Sequence, residues 1–182
     1  MPTTSASHTP DVARDVTATL DVFPQSANRR PVRVLTYGTF DLFHIGHLRL
    51  LERLRVLGDH LTVAVSTDEF NALKGKTSLV PYADRAALVA ACRFVDAVIP
   101  ENTWGQKRED VVRLGIDVFG MGGDWEGHFD ELGDVCQVVY LPRTAGISST
   151  AIKDRLKVFD AESLQSLKTA IETAQQVLAR LA

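Results

Sequence analysis

The sequence predicts an α/β fold: one Rossmann-like domain built on a doubly wound parallel sheet with helices on both faces. Three features predict it. Short β-branched runs recur along the chain, segments with leucines at helical spacing alternate with them, and glycine-rich or polar loops follow the runs. Such alternation implies parallel strands joined by right-handed helical crossovers, which cover the sheet on both sides. At 182 residues, 45% apolar and 24% charged, the chain suits a single domain with a buried core and tails to spare.

The elements follow in order. Residues 1–30, rich in Ser, Thr, Ala and Pro, read as a mobile tail with a weak helical tendency over Val12–Leu20. They lack the basic-then-apolar order of a secretory leader. The domain proper is expected over 31–158. Pro31–Tyr37 reads as a strand ending at Gly38, and Gly46–Leu57 as a helix with Leu48, Leu51, Leu54 and Leu57 on one face. Leu61–Ser66 then reads as a strand, Asp84–Phe94 as a helix, and Asp96–Ile99 as a short strand closed by Pro100. Lys107–Leu114 is expected to be helical, Asp117–Met121 and Cys136–Leu141 to be strands, and Ser148–Val158 to be a helix. A separate amphipathic helix over 159–182 would carry Leu164, Leu167, Ile171, Leu178 and Leu181 on one stripe, to pack on the domain or on a second subunit.

Composition removes several function classes. No apolar run is long enough to span a bilayer, so membrane insertion is not expected. The formal net charge of −3 argues against broad nucleic-acid binding, though a local cationic pocket could still hold a triphosphate. Cys92 and Cys136 have no metal-ligand spacing and read as small buried hydrophobes suited to a reducing cytoplasm.

In sheets of this kind ligands bind beyond the carboxyl ends of the strands, which directs attention to the loops after Tyr37, Ser66, Met121 and Leu141. The first holds Gly38-Thr39-Phe40-Asp41-Leu42-Phe43-His44-Ile45-Gly46-His47. Histidines three apart at a helix start face one side, where open backbone N–H groups and the helix dipole favour an anion. Incidental imidazoles are the bland alternative, and the surrounding glycines and Thr39 weigh against it. The last loop, Arg143-Thr144-Ala145-Gly146-Ile147-Ser148-Ser149-Thr150, offers a second helix start with hydroxyl caps and a guanidinium. Lys74 and Lys76 lie in a polar connection suited to a closing lid, although lysine pairs in loops are usually only solvated. After Met121, Gly122 and Gly123 permit close backbone approach while Asp124 could accept from an exocyclic amine; Trp125 reads rather as a core anchor. Asp41 reads as a carboxylate facing a metal or supporting the site, or as a simple loop cap.

The motif His44-x-Gly46-His47 resembles the signature of the cytidylyltransferases within the HIGH-type nucleotidyltransferases. The longer set, T-Y-G-T-F-D-L at 36–42, L-L-E-R at 50–53, S-T-D-E-F-N at 66–71, D-W-E-G at 124–127, V-V-Y-L-P-R-T at 138–144 and G-I-S at 146–148, is similar to the bacterial glycerol-3-phosphate cytidylyltransferase family from about Val32 to Arg155. The resemblance implies in-line attack of a phosphorylated acceptor on the α-phosphorus of CTP. His44, His47, Lys76 and Arg143 would then be catalytic. Thr39, Phe40, Lys74, Asp124, Thr144, Gly146, Ile147, Ser148 and Ser149 would bind nucleotide, and Asp41, Arg85 and Arg93 would approach the acceptor. It further implies Mg²⁺ held mainly through the CTP phosphates, a cytoplasmic homodimer, and a role in teichoic acid or another glycerol-phosphate polymer. Gly123 and Ala145 depart from acidic residues common at these positions in the family. Another small phosphorylated acceptor, such as a polyol phosphate, phosphoethanolamine or a sugar phosphate, remains the alternative substrate, and a non-catalytic nucleotide-binding module is the alternative class.

Overall fold

The structure, a computed structural model, describes residues 29–181, apart from the side chains of 158–163, 174, 175 and 177–181. The tail expected over residues 1–30, with its helical tendency at Val12–Leu20, lies almost wholly outside the described residues.

Five strands form one parallel sheet: β1 (Arg33–Gly38), β2 (His60–Ser66), β3 (Ala97–Glu101), β4 (Val118–Gly122) and β5 (Gln137–Leu141), in the order β3-β2-β1-β4-β5. Five helices connect or follow them: α1 (Ile45–Arg55), α2 (Asp68–Leu73), α3 (Tyr82–Ala90), α4 (Gln106–Leu114) and α5 (Ser149–Leu181). β1 pairs with β2 along its whole length, from Arg33 opposite His60 to Gly38 opposite Val65, and on its other side with β4. The winding direction reverses between β1 and β4, which opens a crevice above the carboxyl end of β1.

Period-two alternation along each strand explains the two faces. Val34, Val63 and Val65 point to one side, where α1 supplies Leu51 and Leu54 and α3 supplies Val89, all fully buried. Leu35, Ala64, Phe119 and Met121 point to the other, where α4 supplies Val111 and the segment before β5 supplies Phe129 and Leu132. The leucines of α1 recur every three residues because that is the spacing at which a helix meets a sheet. β4 approaches α1 so closely that a Cβ on Gly120 would sit 2.2 Å from Leu54 Cδ2.

Four differences from the sequence expectation have local causes. β3 runs through Pro100 to Glu101, because an edge strand tolerates a missing N–H on its open side. α2 is too short for periodicity to reveal; the Thr67 hydroxyl caps it by accepting from the Phe70 N–H at 3.2 Å. The helix expected over Asp84–Phe94 instead spans Tyr82–Ala90. The helices expected on either side of residue 158 are one continuous α5, with no Pro or Gly between to break it.

Candidate active site

The first loop follows β1 and enters α1 through an uncommon backbone. Phe40 and Leu42 both sit in the left-handed region, at φ 52° and 50°, a conformation that ordinarily goes to glycine or asparagine. The carboxylate of Asp41 between them is 97% buried, accepts from the N–H groups of Leu79 (2.9 Å) and Val80 (3.0 Å), and pairs with Lys153 of α5 at 2.7 Å. Burial alone would raise its pKa, but Lys153 and the two N–H donors outweigh it and hold the carboxyl below the ordinary range. Asp41 therefore ties three chain segments together.

That loop brings two imidazoles to the start of α1. The Nδ1 of His44 accepts from the Gly46 N–H at 3.0 Å, and the Nδ1 of His47 accepts from the His44 N–H at 3.4 Å, a reciprocal cap. With both Nδ1 atoms accepting, the neutral tautomer places a proton on each Nε2. The rings stack with centroids 3.9 Å apart. Burial, followed by the neighbouring His44, lowers the His47 pKa to about 4; burial and then Arg143 lower that of His44. Both histidines are thus neutral donors near pH 7. Gly46 is required here: a Cβ would lie 2.8 Å from the His44 ring and 3.2 Å from Ile147.

The second helix start converges on the same place. Ser149 Oγ donates to the Asp41 carbonyl at 2.7 Å and lies 3.4 Å from His44 Nε2, while Ser148 Oγ accepts from the Ala151 N–H at 3.0 Å. An open cleft of about 350 Å³ is lined by Thr39, Phe40, His44, His47, Lys74, Lys76, Asp124, Arg143, Thr144, Ile147, Ser148 and Ser149. All four residues expected to be catalytic therefore meet, together with eight of the nine expected at the nucleotide. Gly146 is the exception; its φ of 80° instead turns the loop into α5. Asp124 and Arg143 face each other at 3.3 Å across the β4–β5 end of the cleft, both exposed. Trp125 combines the expected packing role, against Phe129 at 5.7 Å, with a place in the cleft wall.

Three expected acceptor contacts do not reach the cleft. Asp41 is consumed by the loop anchor just described. Arg85 is fully buried, donating to the carbonyls of Val80 (2.8 Å) and Thr39 (2.5 Å) and pairing with Asp68 at 2.6 Å, so each of its three guanidinium nitrogens has a structural partner. Arg93 lies exposed against the ring of Phe94, 4.8 Å from its centroid. The family resemblance suggested these arginines; Arg85 is instead turned inward from α3 onto the Thr39 and Val80 carbonyls and Asp68, and Arg93, beyond the end of α3, lies on Phe94.

The cleft also contains charged residues that sequence reasoning missed. Glu101, 97% buried at the end of β3, accepts from Lys107 Nζ at 2.7 Å and from Ser66 Oγ, and lies 3.6 Å from Lys74 Nζ. Lys107 Nζ sits against the rings of Tyr37 (4.6 Å), Trp104 (4.8 Å) and Phe129 (5.7 Å). Burial lowers the Lys74 pKa, with the pull of Glu101 opposing it. Glu101 was missed because the strand was expected to end at Ile99, before Pro100, whereas β3 carries Glu101 to the carboxyl rim of the sheet.

The family whose model matches residues 35–155, most of the sheet and both helix starts, is "cytidylyltransferase-like". The chain belongs to the cytidylyltransferase-like family. The glycerol-3-phosphate cytidylyltransferase of Staphylococcus aureus is 55% identical over 130 residues, covering 71% of this chain and 98% of that protein. The enzyme of the same name from Bacillus subtilis is 56% identical over 124 residues, covering 68% and 96%. A solved structure, the lipopolysaccharide core biosynthesis protein of Thermoplasma volcanium, superimposes with a TM-score of 0.56 at 26% identity, covering 63% of this chain and 99% of that one. The cytidylyltransferase-like match ends at residue 155, well before α5 does.

Proposed function

We infer that this chain is a nucleotidyltransferase that transfers CMP from CTP to glycerol 3-phosphate, giving CDP-glycerol and pyrophosphate. The convergence of two helix starts on one cleft, with the Nε2 donors of His44 and His47 between them, carries the mechanistic reading. The relatives above half identity, each covered almost end to end, carry the choice of CTP and acceptor.

The chemistry follows from what the residues can do. A phosphate oxygen of the acceptor attacks the α-phosphorus; its second pKa of about 6 makes it a nucleophile without a protein base. The new O–P bond forms as the bond to the β-phosphate oxygen breaks, and pyrophosphate leaves with the electron pair. His44 and His47, neutral and fixed by their Nδ1 contacts, donate to phosphoryl oxygens as charge accumulates, each worth roughly 3–4 kcal/mol. The N–H groups and hydroxyls at the start of α5 receive the β- and γ-phosphates, and Arg143 exchanges Asp124 for the departing pyrophosphate. Lys76, exposed after Gly75, closes over the same phosphates.

Magnesium fits this site through the nucleotide. Among the described residues no group of three or more His, Cys, Asp or Glu could hold an ion, and Mg²⁺ ordinarily keeps waters and takes substrate phosphates as ligands. When bound it supplies charge neutralisation to the triphosphate, while this chain's own residues orient it.

The working form is a cytoplasmic homodimer feeding a glycerol-phosphate polymer such as teichoic acid. Three points support it: among the described residues no helix is long and apolar enough to cross a membrane, both cysteines are free, and α5 exposes Leu164, Leu167 and Ile171. Pyrophosphate release with Mg²⁺, measured for each nucleoside triphosphate against glycerol 3-phosphate and other phosphorylated acceptors, tests the reaction. Turnover confined to CTP with glycerol 3-phosphate is expected, and silence with that pair contradicts the assignment.

A further inference from the structure

The cleft has two ends on either side of the histidine pair. At the β4–β5 end, Gly122, Asp124 and Arg143 border the start of α5, the polar edge that suits a base and its triphosphate. The β2–β3 end is left for the acceptor, and its floor is the buried group of Lys74, Glu101 and Lys107. Three aromatic rings, those of Tyr37, Trp104 and Phe129, surround one point there. Such an enclosure is what proteins use to recognise cationic headgroups. In this chain it is already filled by the ammonium of Lys107, which is 95% buried and locked to Glu101 at 2.7 Å. Tyr37 cannot turn aside, because its hydroxyl donates to Asp110 at 2.7 Å. Lys74 lies 3.6 Å from the same carboxylate, so two ammonium groups share one counter-charge and the floor keeps a net positive charge.

We propose that Lys107, held by Glu101 inside the Tyr37–Trp104–Phe129 enclosure, determines acceptor specificity: it admits phosphorylated neutral polyols and rejects phosphorylated amino alcohols. This rests on the cytidylyltransferase reading above and deepens it. A neutral polyol offers hydroxyls that accept from the two ammonium groups and donate to Glu101. An amino alcohol brings a third cation to a place with one carboxylate, where the ammonium of Lys107 already takes the point on which the three rings converge. Discrimination therefore comes from repulsion built into the floor, beyond the attraction for the correct substrate.

The test compares kcat/KM for glycerol 3-phosphate and for phosphoethanolamine, with saturating CTP, in the wild type, Lys107→Met, and Lys107→Met/Glu101→Gln. The wild type should favour glycerol 3-phosphate by more than a hundredfold. Each variant should narrow that ratio at least tenfold while leaving the KM for CTP within about twofold. The double variant removes both charges, so it carries the test if the single one, with Glu101 left unpaired, does not fold. Wild-type use of phosphoethanolamine within tenfold of glycerol 3-phosphate overturns the proposal, as does a ratio unchanged in a folded variant. A wild type that prefers a different neutral polyol phosphate contradicts the glycerol assignment but upholds the role of Lys107. An enzyme inactive with every acceptor contradicts the catalytic reading, and the proposal falls with it.

Discussion

His44 and His47 act as donors because their Nδ1 atoms are already used by backbone N–H groups at the start of α1. Replacing His47 with Ala should lower kcat by about 10²–10³ with little change in the KM for CTP, since the contact strengthens mainly in the transition state. Steady-state kinetics at saturating acceptor reads this directly. The same ring should also govern acid stability. Its folded pKa of about 4 lies below the ordinary 6.5, so the unfolded chain takes up the proton first as pH falls. Stability from this group is complete above about pH 6.5 and is lost as pH drops towards 4, by about 3 kcal/mol, of which about 2 kcal/mol is gone by about pH 5. Urea unfolding at pH 7.5 and 5 should show the loss in the wild type and a smaller one in His47→Gln. A wild-type stability independent of pH over this range would contradict the burial of that ring. The histidines and Arg143 were legible in the sequence because they stand beside glycines and hydroxyls in strand-end loops, whereas Lys74 and Lys76, which follow α2, were singled out mainly by the family resemblance. Glu101 and Lys107 were not, because burial and mutual pairing are properties of the folded site and a lysine inside a helix pattern reads as solvated surface.

At the scale of elements, α1 links the core to the chemistry: its N-terminus holds the histidines while Leu51 and Leu54 anchor it on the sheet. Leu54 is fully buried, so Leu54→Ala should cost about 2–5 kcal/mol by chemical denaturation. Gly120→Ala should also destabilise, because its Cβ would press on the same Leu54 side chain, and it should shift α1 enough to reduce kcat. A fully stable, fully active Gly120→Ala protein would show that β4 and α1 are not so closely packed. Asp41→Asn should loosen the 77–80 segment and α5 together, raising the KM for both substrates, because the neutral amide gives up the charge that meets Lys153. The strands and α1 were legible because period-two and period-three patterns survive in sequence. The length of β3 was not, since a proline forbids a central strand but not an edge one, and α2 was too short to show any period.

For the whole molecule, the order β3-β2-β1-β4-β5 places every strand-end loop on one rim, so that residues as distant in sequence as His44 and Ser149 meet. The parallel fold was legible from the alternation of strands and helices; the proposed division of the rim into a nucleotide end and an acceptor end rests on the strand order, which the sequence does not show. Dimerisation belongs to this scale as well. Sedimentation should show a species of twice the monomer mass, and substitution of Leu167 and Ile171 by Glu should reduce it to monomer if α5 is the contact. A monomeric wild type would remove the homodimer. The central claim is the reaction itself, and it is tested most directly by incubating the purified protein with Mg²⁺, CTP and glycerol 3-phosphate and identifying the products. Stoichiometric CDP-glycerol and pyrophosphate, lost in His44→Ala, are expected; absence of CDP-glycerol from a folded wild-type protein would contradict it.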